Sequence, residues 1–148
     1  DYIFLQTAAF LEMKEQDELL ECAQVYGNWY GVPRSQVSQG LKEGKDVILK
    51  VDVQGADTVR KLATEALFIF MVPGSFDELR DRLTQRMTER PSEINLRLSI
   101  AWSELGRVAE YDYRVVNRDD QLEQVIAEID AIITAEKCRV HPRKVDSL

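Results

Sequence analysis

The chain is 148 residues long, 45% hydrophobic and 30% charged, enough for one domain with a buried core. Its net charge of −7 argues against gripping nucleic acid through a bulk positive field, although a local arginine cluster could still hold phosphate. No apolar run approaches the ~20 residues that a membrane-spanning helix needs, so no membrane partner is expected.

The sequence opens on Asp1 without a signal-peptide pattern or an initiator methionine, and the true N-terminus is expected to lie upstream. Tyr2-Ile3-Phe4-Leu5 reads as a short strand. Thr7 offers a hydroxyl cap to a helix with Phe10, Leu11 and Met13 on its inner face. From Leu19 to Tyr30 the aromatic and branched content rises around a Gly27-Asn28 turn signal, which predicts a small antiparallel sheet closed by Gly31 and Pro33. A helix is expected from Arg34 to Glu43, stopped by Gly44.

Beyond Gly44 strands and helices alternate. Strands are expected at Val47–Val51, Ala66–Val72 and Tyr113–Val116, and helices at Ala56–Ala63, Phe76–Met87, Glu93–Val108 and Leu122–Lys137, with Pro91 breaking the pattern. That alternation indicates an α/β fold with a parallel sheet covered by helices on both faces. The tail from Arg139 is polar and expected to fray. Cys22 and Cys138 match no metal-ligand spacing and read as free thiols in a reducing, cytoplasmic setting. His141 is the only histidine, in a polar tail, which argues against a histidine triad or a histidine metal site.

Three segments could carry chemistry. Asp52 ends the apolar run from Val47, at the carboxyl end of an expected parallel strand, where open α/β sheets bind ligands. In phosphate-loop enzymes such an aspartate helps hold magnesium; equally, Asp52 could simply cap the helix that begins near Gln54. Arg82 and Arg86 share one helix face, and Arg97 lies on the next helix, so the three could converge on a phosphoryl group. The competing reading is a solvated face paired with Glu78, Asp81 and Glu93.

The third segment runs from Glu21 to Gly31. Guanine presents two N–H donors on one edge, which a single carboxylate such as Glu21 can accept, and adenine cannot satisfy that arrangement. The alternative is a Tyr/Trp-rich apolar face of the sheet. By contrast, Gly40-Leu41-Lys42-Glu43-Gly44-Lys45 only imitates a phosphate loop. Gln39 stands where the spacing needs glycine, Asp46 where it needs Ser or Thr, and the segment ends a helix instead of starting one.

Taken together, the chain resembles the guanylate kinases from Asp1-Tyr2 to about Lys137. The resemblance rests chiefly on Gly27-Asn28-Trp29-Tyr30-Gly31 and Asp52-Val53-Gln54-Gly55-Ala56. It is supported by Leu19-Leu20-Glu21, Asp77-Glu78-Leu79, Arg82-Leu83, Arg86, Thr88, Arg97-Leu98 and Tyr111-Asp112-Tyr113 with Val115-Val116-Asn117. It implies a phosphate-loop-type parallel sheet flanked by helices, an inserted antiparallel GMP-binding sheet, and a helical lid. On this scheme residues 1–33 form the GMP lobe, 34–75 and 109–138 the core, 76–108 the lid region of a single domain, and 139–148 a polar tail.

The resemblance implies phosphoryl transfer from ATP to GMP, with Mg2+ accompanying ATP. Tyr2, Glu21, Tyr30, Val32 and Asp52 fall at GMP-binding positions, and Arg82, Arg86 and Asn117 at ATP-binding ones. Arg82, Arg86, Arg97 and Asp52 fall at catalytic positions, with Asp52 near, not bound to, the metal. Four departures stand out. Val32 replaces the usual Ser or Thr that helps read guanine, and Gln85-Arg86-Met87 replaces a Gly-Arg-Gly lid turn. Lys50 replaces a frequent acidic residue. The 148 residues contain no phosphate loop, so catalysis by the chain alone is expected to be crippled. The rival readings are a guanylate-kinase-like module that holds a peptide, and a kinase for another nucleoside monophosphate.

Overall fold

The computed structural model describes residues 3–25, 27–85 and 91–145. These belong to two compact units, residues 1–66 with 144–148, and residues 67–143.

The first unit is built on an antiparallel hairpin, β1 (Leu19–Val25) and β2 (Asn28–Pro33). The turn signal is realised at Gly27, which has φ +81°, a conformation open to glycine without a Cβ penalty, whereas Asn28, already in β2, pairs with Val25. Helix α1 (Thr7–Glu15) lays Phe10 on one face of this hairpin. The Phe10 ring stacks on Trp29 at 5.7 Å, and a Cβ on Gly31 would come within 3.0 Å of it. Glycine at position 31 therefore lets α1 close onto the sheet. Thr7 does not cap this helix; Gln6 precedes it, no side chain caps it, and Thr7 is its first residue. Leu11 is more than a third exposed, and residues 3–6 form no strand, with Phe4 93% exposed.

Helix α2 (Arg34–Lys42) ends as expected. Gly44 sits at φ +70°, its N–H donating to the Leu41 carbonyl and the Lys45 N–H donating to the Gly40 carbonyl. These two bonds close the helix in a Schellman arrangement, so the glycines of this segment stop a helix and cradle no phosphate. Residues 47–51 are extended but not a strand. Val47, Leu49 and Val51 turn inward and Ile48 and Lys50 outward, the period of a strand, yet no ladder pairs them among the described residues. A strand is defined by its neighbour's hydrogen bonds, and alternation alone cannot supply one. Val47 packs instead against Gly40 of α2.

Helix α3 (Val53–Leu62) begins three residues earlier than the periodicity suggests, because Asp52 caps it. The Gly55 N–H donates to Asp52 Oδ1 at 2.8 Å, satisfying a first-turn donor. Ala56, Val59 and Ala63 bury the inner side of α3.

The second unit pairs β3 (Ile69–Pro73) with β4 (Tyr113–Asn117) in parallel, as the strand–helix alternation predicts. Phe70 and Val115 are buried in this pair, and Val125 of α6 (Leu122–Lys137) joins them. Tyr111 meets Phe70 edge to face at 4.7 Å. Helix α4 (Phe76–Gln85) starts behind Ser75, whose hydroxyl accepts from the Glu78 N–H. Pro91 opens α5 (Pro91–Leu105) where the sequence pattern starts that helix at Glu93; a first helical residue needs no N–H, so proline fits there. A 3₁₀ turn at Val108–Glu110 follows.

The segment after α6 is tied down where fraying is expected. Arg143 donates to Glu136 at 2.9 Å and to Asp112 at 2.8 Å, Arg139 pairs with Glu136, and the Tyr113 hydroxyl donates to Glu136 at 2.8 Å. Asp112 also accepts from the Phe68 N–H, so the knot reaches the start of β3. These paired groups hold Glu136 below the ordinary carboxylate pKa, the Tyr113 hydrogen bond foremost.

Candidate active site

The hairpin register decides which side chains share a face. Glu21 lies opposite Val32, and Ala23 opposite Tyr30. Residues directly across an antiparallel pair point to the same side, so Glu21, Val32 and Tyr30 occupy one face. Trp29 and Gly31 occupy the other, which α1 covers. Alternation alone would put Leu19 on the same side as Glu21. A bulge between Leu19 and Glu21 separates them, pairing Leu19 with Pro33 on the Gly31 side. The extra residue, Leu20, is 1% exposed and anchors the kink in the core. Nothing in the sequence signals this bulge.

Glu21 is 8% exposed and is the one buried charged residue recorded among those described. Its carboxylate rests at the start of α3, beside Asp52 and so close to Gly55 that a Cβ there would lie 2.9 Å from Glu21 Oε1. Burial pushes its pKa up, and the neighbouring Asp52 carboxylate adds to that. Among the described residues no ion pair or hydrogen bond engages the Glu21 carboxylate, and its oxygens are not sealed from solvent. Tyr30 is 45% exposed on the same face. Tyr2 lies outside the described residues.

In the second unit Arg82 and Asn117 come together. Arg82 Nη2 donates to the Asn117 carbonyl at 2.8 Å, and Arg82 Nε donates to Asp119 at 2.7 Å. Glu78, one turn earlier on α4, lies 3.7 Å from the same guanidinium. The competing reading of the arginines as paired surface charges is thus correct for Arg82 in part: it pairs with Glu78, but its closest partner is Asp119, which periodicity could not single out. Arg97 is half-buried on α5. Arg86 lies outside the described residues, so the expected arginine trio is not seen as a trio.

A family model for guanylate kinase matches residues 1–136. The chain belongs to the guanylate kinase family. The members of that family phosphorylate GMP from ATP, which makes the chain a nucleoside monophosphate kinase by descent. A guanylate kinase of Clostridium perfringens is 43% identical over 148 residues, all of this chain and 68% of that protein. A rice protein named guanylate kinase 2, chloroplastic/mitochondrial, is 42% identical over 147 residues, 99% of this chain and 52% of that one. The crystal structure of guanylate kinase from Anaplasma phagocytophilum superposes with a TM-score of 0.76 at 33% identity, covering 95% of this chain and 67% of that one. The guanylate kinase fold is therefore shared. Among the described residues no helix is long and apolar enough to cross a membrane.

Proposed function

We propose that the Glu21–Tyr30–Val32 face of the hairpin is a GMP site and that Glu21 reads the guanine edge. The observation that carries this reading is a carboxylate on a residue only 8% exposed, without an ion pair or hydrogen bond among the described residues, on the hairpin face that also carries Tyr30. Leaving a charge buried is costly, and a ligand with two adjacent N–H donors relieves that cost where adenine could not. Tyr30, with Tyr2 assigned by sequence position, contacts the GMP phosphate. Val32 offers no hydroxyl to the base, so its contribution is packing.

The reaction is in-line transfer of the γ-phosphoryl group of ATP to a GMP phosphate oxygen, giving ADP and GDP. Arg82, Arg97 and, by sequence position, Arg86 neutralise charge on the transferring group, which is where positioned guanidinium forks contribute most. The bonds from Arg82 to Asp119 and the Asn117 carbonyl support a pre-oriented guanidinium. Asp52, with Glu21 beside it, keeps one oxygen free of its capping bond and would lie near Mg2+, an ion that suits carboxylate oxygens and keeps much of its water. Magnesium supplies charge neutralisation between the phosphates when bound. A cytosolic place in purine nucleotide metabolism belongs to the same proposal.

Calorimetric titration of the chain with GMP, and with AMP as control, tests the base assignment. GMP binds selectively to the parent chain, and Glu21→Gln weakens GMP about a hundredfold, the scale of two charge-assisted hydrogen bonds. A folded parent chain that binds neither nucleotide would favour the peptide-holding module instead.

A further inference from the structure

Gly55 is buried as the third residue of α3, a position where glycine costs helix stability relative to alanine. Its backbone is unremarkable in φ, so the reason for glycine is space. A Cβ at this position would stand 2.9 Å from both Cδ and Oε1 of Glu21 and 2.9 Å from Val51 Cβ. Atoms do not approach so closely, and something must yield. Val51 Cβ is fixed to the backbone that leads into the Asp52 cap, whereas the Glu21 carboxylate is the far end of a flexible side chain. The carboxylate is therefore the group that swings aside, while the Val51 contact is met by a small backbone shift.

Resting on the assignment of Glu21 as guanine reader, we propose that Gly55 is a positioning residue for base selection: its missing side chain is the seat in which the Glu21 carboxylate is held. The hairpin fixes only the root of Glu21. Three rotatable bonds separate that root from the oxygens, and a bidentate contact with a ring edge tolerates little displacement. The bulge at Leu20 sets the direction in which Glu21 leaves β1, and the hollow at Gly55 sets where its oxygens stop. The Gly55 N–H is already given to Asp52, so Gly55 acts on Glu21 through shape alone.

The test is titration of the full chain with GMP and with inosine monophosphate, which has the same ring without the 2-amino donor, after circular dichroism confirms folding. Gly55→Ala weakens GMP roughly tenfold to a hundredfold and brings its affinity down toward that of inosine monophosphate. Shortening the reader relieves the crowding: Glu21→Asp weakens GMP in the parent chain but restores part of the loss in Gly55→Ala. A role confined to helix packing would weaken both nucleotides equally and show no such rescue, and that result overturns the proposal. If Gly55→Ala does not fold, Val51→Gly with Gly55→Ala removes the clash with the Val51 Cβ and leaves only the Glu21 contact. Unchanged base selectivity in that folded double variant also overturns it. The two assignments fail separately: Glu21→Gln without effect on GMP sinks the reader itself, whereas loss with Glu21→Gln and none with Gly55→Ala sinks only the seat.

Discussion

Glu21 in the first unit and Glu136 in the second are two poorly exposed glutamates treated in opposite ways. Glu21 is 8% exposed, unanswered by any described donor, and its pKa is raised by burial. The Glu136 side chain is 12% exposed, accepts from Tyr113, Arg139 and Arg143, and its pKa is lowered, chiefly by the Tyr113 hydrogen bond. The difference teaches how to tell a site from a staple. A carboxylate with its partners already in the chain holds structure together, while one buried without them lowers stability until a ligand arrives.

The sharpest way to break the comparison is to remove each charge. Glu21→Gln costs the most binding, yet it raises the melting temperature at neutral pH. A raised folded pKa means the favourable contribution is complete below the ordinary glutamate pKa and is lost as pH rises through the folded value. The stabilising effect of Glu21→Gln therefore shrinks on acidification, and GMP affinity of the parent chain falls as pH drops through the same value. A melting temperature lowered by Glu21→Gln at neutral pH would contradict the idea of a poorly exposed charge without a partner.

Glu136→Gln gives the opposite sign. A depressed folded pKa contributes stability present above the ordinary glutamate pKa and lost as pH falls through the folded value. The variant melts lower than the parent at neutral pH, and the two curves converge in acid. Melting followed across that range separates the two glutamates directly.

Smaller effects sharpen the picture. Val32 lies across from Glu21, so Val32→Thr adds a hydroxyl on the ligand face at almost constant volume. One added hydrogen bond, about 1 kcal/mol, tightens GMP about fivefold in titration and leaves AMP unchanged. Asp119→Asn gives the smallest change. The Asp119 side chain is 55% exposed, and such pairs contribute less than about 1 kcal/mol, so thermal unfolding moves little. A large drop would show Asp119 to be a staple like Glu136.

Much of the architecture was legible because local chemistry dictates it. Gly27 lies between the hairpin strands, with Asn28 already in β2, Gly44 stopped α2, and α6 runs over the Leu122–Lys137 span its periodicity marks. Glu21 stands as the proposed guanine reader because a carboxylate is the acceptor that a guanine edge requires. Sequence failed where the answer depends on a neighbour far along the chain. Residues 47–51 have a strand's alternation without a ladder, and Arg82 pairs most closely with Asp119, 37 positions away. The tail looked free because Arg143 finds Asp112, 31 positions away, only after α6 and β4 are packed.

The sequence by itself thus determined the order of elements, the turns and stops, and the kinds of side chain available to bind a purine and a phosphate. These follow from backbone freedom at single residues and from the donors and acceptors each side chain carries. Only the tertiary structure decided that Leu20 bulges so that Leu19 and Glu21 part to opposite faces, that Val32 stands across from Glu21, and that Gly55 leaves room for a carboxylate 34 positions before it. Each of these is a matter of register or of volume between segments distant in sequence, and neither is written in a local pattern.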